Sequence, residues 1–268
     1  MDYKELGNTG EMVSEIGLGT WKYRGGADPL LRGVALGATF IDGAEMYRNE
    51  DEVGQAIQEL RQQVFLATKV LGSHLRYDQV MRAAEQSLQR LKTDWIDLYQ
   101  IHYPNSSVPI AETMRAMEAL VDAGMVRYIG VSNFSTSELR AAQAAMAHNP
   151  IVSNQVLYSL KARRIEEELL PYCQENHITI IAFTPLADGS LAAASRFLPD
   201  RRMKALEQVA TQVNKTMAQV ALNWCTSRPN VIAIPKSNSV ARTEENCAAS
   251  GWRLSPEQVR TLDDAFAK

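Results

Sequence analysis

Four polar residues, Asp42, Tyr47, Lys69 and His102, stand at or just beyond the ends of short apolar runs, in the stretches TFIDGAEMY, VFLATKV and DLYQIHYPN. As residue types they form a proton-transfer set. Tyr47 alone of the four carries a hydroxyl that can hand a proton to an oxygen, but a phenol with an ordinary pKa of about 10 is a poor acid near neutrality. A lysine ammonium at position 69 would favour the phenolate, and Asp42 would keep that lysine charged and fix its direction. A ring nitrogen of His102 could orient and polarise a carbonyl or share the proton transfer. Carbonyl reduction also needs a hydride that no side chain supplies. A cofactor would have to be held without a Rossmann fingerprint, since no G-x-G-x-x-G occurs.

Such a set works only if the fold gathers it. Asp42, Lys69, His102, Asn133, Gln155 and Thr184 follow one another at intervals of 27, 33, 31, 22 and 29 residues. An eight-fold β/α barrel of about 250 residues repeats every ~31 residues and collects the ends of its strands into one mouth. Apolar runs near Ile16–Gly19, Phe40–Ile41, Val64–Ala67, Ile96–Ile101, Tyr128–Val131, Ile151–Val156, Ile178–Phe183 and Val231–Ile234 supply the strands. Between them DQVMRAAEQSLQRLK and IAETMRAMEALVDAG repeat apolar residues at helical spacing, the second ending at Gly124 as a C-terminal cap should. Alternating strands and helices imply a parallel sheet. The opening YKELGNTGEMVSEIGLGTW predicts a hairpin around Asn8-Thr9-Gly10 that caps the barrel floor. Helical patterns near 241–248 and 255–266 follow the last strand as additions to the repeat. The expected fold is a (β/α)8 TIM barrel with an N-terminal β-hairpin and extra C-terminal helices, one domain over residues 1–268.

Composition excludes other roles. The net charge is -3, which gives no electrostatic footprint for nucleic acid or an anionic membrane. MDYKELGNTG lacks the succession of a secretory leader, and the apolar runs are too short to span a bilayer, so a cytoplasmic enzyme is expected. Cys173, Cys225 and Cys247 show neither disulfide nor metal spacing, and no metal site is expected. His74, His148 and His177 read as structural or exposed.

The motifs GTW at 19–21, FIDGAEMY, ATKV, IHYP, GVSNF at 130–134, NQVLYS at 154–159, AFTPL and IPKS, in that order along essentially the whole chain, resemble the aldo-keto reductases, as a short bacterial-type member. The resemblance implies NADPH-dependent reduction of an aldehyde or ketone. Tyr47 would be the general acid, Lys69 and Asp42 the pair that sets its pKa, and His102 the carbonyl-orienting partner. It implies that Ser132, Asn133 and Gln155 hydrogen-bond the nicotinamide carboxamide, and that Thr184 and Leu186 also bind the cofactor. Phe183 stands where the family usually has a tyrosine stacked on the nicotinamide. Lys236, Ser237, Arg242, Glu245 and Asn246 match the grip on the adenosine 2'-phosphate and adenine. A phosphate near the end of the last strand is also where barrels commonly bind one, which favours NADP over NAD. Trp21 and Tyr103, with Tyr47 and His102, would line the site for a small carbonyl substrate, and the chain would act as a monomer.

The sequence departs from the family in carrying Tyr103 where a tryptophan is usual, a short loop after His102 and VLYSL after Gln155. The loop leaves the pocket open and the substrate unassigned. Two other readings stay open: a Schiff-base aldolase in which Lys69 attacks a carbonyl, disfavoured by Asp42, and a non-catalytic NADPH sensor, disfavoured by the intact tetrad.

Overall fold

A computed structural model describes residues 1–192 and 200–267. Among these residues the chain opens with an antiparallel hairpin, β1 (Tyr3–Glu5) and β2 (Met12–Ser14), in the register Tyr3↔Ser14. Eight strands follow: β3 (Leu18–Gly19), β4 (Phe40–Asp42), β5 (Phe65–Val70), β6 (Ile96–Ile101), β7 (Val126–Ser132), β8 (Ile151–Leu157), β9 (Thr179–Phe183) and β10 (Val231–Ala233). Each pairs in parallel with its neighbour in sequence, from β3 through to β10. Ile16 closes the ring through a parallel bridge to Ala233, and Gly17 N–H donates to Ala233 O at 2.8 Å. The closing seam is tight, for a Cβ at Gly19 would lie 2.7 Å from Ile234 O. The expected barrel and hairpin are both present.

The helices are α1 (Asp28–Ala35), α2 (Glu50–Ile57), α3 (Tyr77–Leu91), α4 (Ile110–Asp122), α5 (Thr136–Ala144), α6 (Leu169–Glu175), α7 (Arg201–Gln212), α8 (Met217–Thr226), α9 (Val240–Cys247) and α10 (Pro256–Ala265). The apolar stripe of α3 buries Val80, Ala84, Leu88 and Leu91, the three-and-four spacing that makes it a helix. Helix α4 stops before Gly124, whose φ of 70° is the left-handed conformation of a C-terminal cap. Helices α7 and α8 fill the long connection from β9 to β10. None among the described residues is long and apolar enough to cross a membrane.

Two apolar cores result. The larger lies between helices and the outer face of the barrel, and a second fills the barrel interior with Phe40, Phe65, Ala67, Leu98, Ile181 and Ile232. Leu6 and Val13 of the hairpin region belong to the interior cluster, so the hairpin plugs the floor. Complete burial of Leu6 alone is worth about 2 kcal/mol.

Candidate active site

The interior apolar plug ends where polar residues of the same strand face begin. In β4 and β5, Phe40, Phe65 and Ala67 belong to the interior cluster, whereas Ile41, Leu66 and Val70 belong to the outer one. Two-residue alternation therefore puts Asp42 and Lys69 on the inward face, one step nearer the mouth. Leu98 on β6 sets the same parity for Gln100 and for His102, just beyond the strand end. Tyr47 comes from a single 3-10 turn, Glu45–Tyr47, immediately after β4.

These residues meet. Lys69 Nζ donates to Asp42 Oδ2 at 2.7 Å, to the Gly43 carbonyl at 2.8 Å and to the Tyr47 hydroxyl at 3.2 Å, which uses all three ammonium protons. Burial opposes the charge on Lys69, but Asp42 and Tyr47 outweigh it and raise its pKa above the ordinary lysine value. Tyr47 differs from the sequence expectation. Burial raises its pKa more than the Lys69 charge lowers it, and the Asp42 charge adds to the rise, so the phenol is held protonated. His102 is 4% exposed, and burial, reinforced by the Lys69 charge, lowers its pKa to about 3, leaving the ring neutral at physiological pH. Its Nδ1 is buried with no hydrogen-bond partner among the described residues. The His102 and Tyr47 rings meet edge to face with centroids 5.6 Å apart.

A cavity of about 790 Å³ opens over this group. Asp42, Tyr47 and His102 line its base, while Lys69 lies beneath and is fully buried. Trp21 and Tyr103 form its aromatic rim, Trp21 packing 4.9 Å from Tyr47 and Tyr103 stacking 4.9 Å from His102, centroid to centroid. Ser132, Asn133, Gln155, Phe183, Thr184 and Leu186 line one wall, and Lys236, Arg242, Glu245 and Asn246 line the far end. Ser237 does not line it. Its hydroxyl donates to Ser239 O at 2.9 Å and accepts from Ser239 N–H at 3.1 Å, in the turn that leads into α9. Among the described residues, the side chains of Lys236 and Arg242 make no ion pair or hydrogen bond. Asn133 and Thr184 hold φ angles of 63° and 51°, left-handed values that asparagine tolerates and a β-branched threonine rarely adopts.

Sequence reasoning missed several connections. Gln155 Nε2 donates to Asp42 Oδ1 at 2.7 Å, and Gln100 Nε2 approaches the same oxygen at 3.4 Å. The only sequence signal for Gln100 is its amide on the inward parity of β6, two residues after Leu98. Ser132 donates to Gln155 O at 2.9 Å and Asn133 Nδ2 donates to His102 O at 3.0 Å, which ties the wall to the base. Glu45 accepts from Leu71 N–H at 2.9 Å and pairs with His74 Nδ1 at 2.8 Å, so His74 is joined to the turn that carries Tyr47. Lys22, Met46, Asp188 and Ala218 also line the cavity. No group of three or more His, Cys, Asp or Glu among the described residues could hold a metal ion. Cys173, Cys225 and Cys247 are free and buried.

The chain as a whole is similar to known proteins. Residues 15–267 match the family model of the Aldo/keto reductase family. Methylglyoxal reductase YeaE of Escherichia coli is 34% identical, the match covering 99% of this chain and 96% of that protein. A thermostable aldo-keto reductase, Tm1743, solved with the inhibitor epalrestat, superposes with a TM-score of 0.91 at 38% identity, over 99% of this chain and all of that one. An aldo/keto reductase from Klebsiella pneumoniae, solved with NADP and acetate, gives a TM-score of 0.86 at 38% identity, covering 95% and 92% of the two chains. With the match running through nearly every strand end that builds the cavity, the chain belongs to the aldo/keto reductase family.

Proposed function

We propose that this protein reduces aldehydes or ketones to alcohols with NADPH, with Tyr47 as the general acid. The observation that carries the reading is the chain of contacts Asp42–Lys69–Tyr47, at 2.7 and 3.2 Å, ending in a hydroxyl at the base of a large cavity. The donor set suits the dinucleotide. Short polar side chains at Ser132 and Asn133 can bond a carboxamide, the Phe183 ring can cover an aromatic face, and Lys236 and Arg242 lack carboxylate partners among the described residues, as a phosphate would require. Gln155 spends its amide protons on Asp42 and Gln100 and so offers only its oxygen to a carboxamide N–H. The NADP complex of the Klebsiella pneumoniae relative supports the same cofactor.

NADPH, once bound, supplies the hydride. The protein's part is proton transfer and orientation. His102, neutral because burial depresses its pKa to about 3, donates a hydrogen bond to the substrate oxygen without competing as an acid. Tyr47, held protonated, gives its proton to that oxygen as negative charge develops there. The phenolate left behind lies 3.2 Å from the Lys69 ammonium, which Asp42 keeps charged and aimed. Lys69 thus acts mainly on the state formed in the reaction, where it accelerates the step. The same three hydrogen bonds leave Lys69 without a lone pair and argue against the aldolase alternative.

Consumption of NADPH and of NADH over a panel of aldehydes, 2-keto acids and diketones, with wild type and Tyr47→Phe side by side, tests the reading. Tyr47-dependent oxidation of NADPH is expected. Tight NADPH binding with no turnover on any carbonyl would replace it with the sensor reading. All four tetrad residues come from one chain, and the reading has the protein working as a monomer in the cytoplasm; loss of activity on dilution would count against the first part.

A further inference from the structure

Tyr47 rides on one turn of 3-10 helix, too short to hold itself. Its internal backbone bonds are Tyr47 N–H to Ala44 O at 2.9 Å and Arg48 N–H to Glu45 O at 3.3 Å. Arg48, the next residue, sits at φ 56°, a left-handed conformation without glycine to ease it. External ties must fix this turn. Its end is held by Asn49 Nδ2, which donates to the Thr20 carbonyl at 2.9 Å, and its approach by the Gly43 carbonyl, which accepts from Lys69. Between these lies Glu45, with a side chain only 13% exposed. One of its oxygens accepts from Leu71 N–H at 2.9 Å and the other meets His74 Nδ1 at 2.8 Å. Leu71 is two residues beyond Lys69, just past the end of β5.

We propose that Glu45 is a positioning residue whose carboxylate staples the turn carrying Tyr47 to the loop leaving the Lys69 strand, and so sets the Tyr47–Lys69 hydrogen bond. This rests on the reading of Tyr47 as the acid. The two ends of the 3.2 Å contact come from different segments, and Glu45 joins those segments directly. The working feature is an acceptor that reaches Leu71 N–H and is held in line by the His74 contact on the other oxygen. A glutamine retains that acceptor at the same length and can still bond His74, whereas methionine fills the space and lacks it.

The test compares wild type, Glu45→Met and Glu45→Gln, with His74→Ala as a milder cut. A misplacement of about 1 Å at a reacting group can cost about 10²-fold, so Glu45→Met is expected to lose roughly that in kcat while the Kd for NADPH stays within about twofold. Glu45→Gln should recover to within about threefold of wild type, and His74→Ala should fall between. A second readout follows the Tyr47 ring-carbon resonance in tyrosine-labelled protein, assigned by its loss in Tyr47→Phe. It should move in Glu45→Met and His74→Ala and stay in place in Glu45→Gln. Wild-type kcat in Glu45→Met, or equal loss in Met and Gln variants, would overturn the proposal. If the wild type binds NADPH and reduces nothing, the reductase reading fails, and the staple is then judged on the resonance alone, an unmoved signal in Glu45→Met sinking it. If Glu45→Met does not fold, His74→Ala is read in its place, and an unchanged kcat and resonance there overturn the inference.

Discussion

Two aspartates lie buried on barrel strands at opposite ends of the molecule, Asp42 as the last residue of β4 and Asp97 as the second of β6. Asp97 accepts from Leu66 N–H at 2.9 Å and Trp95 Nε1 at 3.1 Å and is bracketed by Arg61 and Arg127, each at 2.8 Å. Arg127 is in turn paired with Glu11, and Arg61 lies over the Trp95 ring. A hollow of about 600 Å³ opens here too, yet Arg61, Arg127, Asp97 and Glu11 on its lining are spent on one another. Asp42 is equally well served, by Lys69, Gln155 and Gln100. Its network differs in where it stops: at the Tyr47 hydroxyl on the cavity, beside a neutral histidine and two residues with strained φ. A buried ion pair is therefore no mark of function by itself. A pair that hands its charge to a group left facing open space is.

The comparison is broken or sharpened first by removing the two ends. Tyr47→Phe takes away the proton donor and little packing, and kcat should fall by about 10³-fold with NADPH affinity intact. Steady-state rates and cofactor fluorescence titration check it. At the floor, Asp97→Ala leaves the buried Arg61 without its carboxylate, while Arg127 keeps Glu11. Breaking a buried pair in this way costs about 3–5 kcal/mol of stability, to be read from the urea midpoint, while kcat per folded molecule stays at the wild-type level. A selective loss of kcat in Asp97→Ala would show that the floor is coupled to the chemistry and dissolve the contrast.

Much of this was legible in the sequence because period and position carry it. Strand ends about one repeat apart bring Asp42, Lys69 and His102 to one mouth, and the inward parity that fills the barrel with Phe40, Phe65 and Leu98 also aims the polar residues. Partner choice was not legible. Nothing in NQVLYS says that the Gln155 amide turns to Asp42, and nothing in IPKS says that the Ser237 hydroxyl closes on Ser239 instead of lining the cavity. The sign of the Tyr47 shift was hidden for another reason. A neighbouring cation can be read from residue types, but the burial that outweighs it depends on packing by distant segments.

The far end of the cavity offers a smaller test. Arg242 has no carboxylate or other side-chain partner among the described residues, unlike Arg61 and Arg127 at the floor, so its deletion frees no buried charge. A hydrogen bond to a charged group is worth about 1.5–3 kcal/mol, and Arg242→Ala should weaken NADPH binding by about tenfold or more and leave NADH unaffected. Equal losses for the two cofactors would remove Arg242 from the 2'-phosphate.

The smallest expected effect is on stability and belongs to His102. Its pKa falls from an ordinary value near 6.5 to about 3 on folding, so between those limits the unfolded chain binds a proton that the folded chain refuses. Stability is therefore whole above pH ~6.5 and declines as the pH drops through that window, by about 1 kcal/mol near pH 6 and more below it. Other groups titrate in acid as well, and the difference between wild type and His102→Gln isolates this one. Glutamine cannot take up the proton, so the variant's unfolding midpoint should fall less steeply between about pH 7 and 5. Parallel curves would mean that His102 charges in the fold as readily as in water, and that burial does not hold it neutral below pH ~6.5.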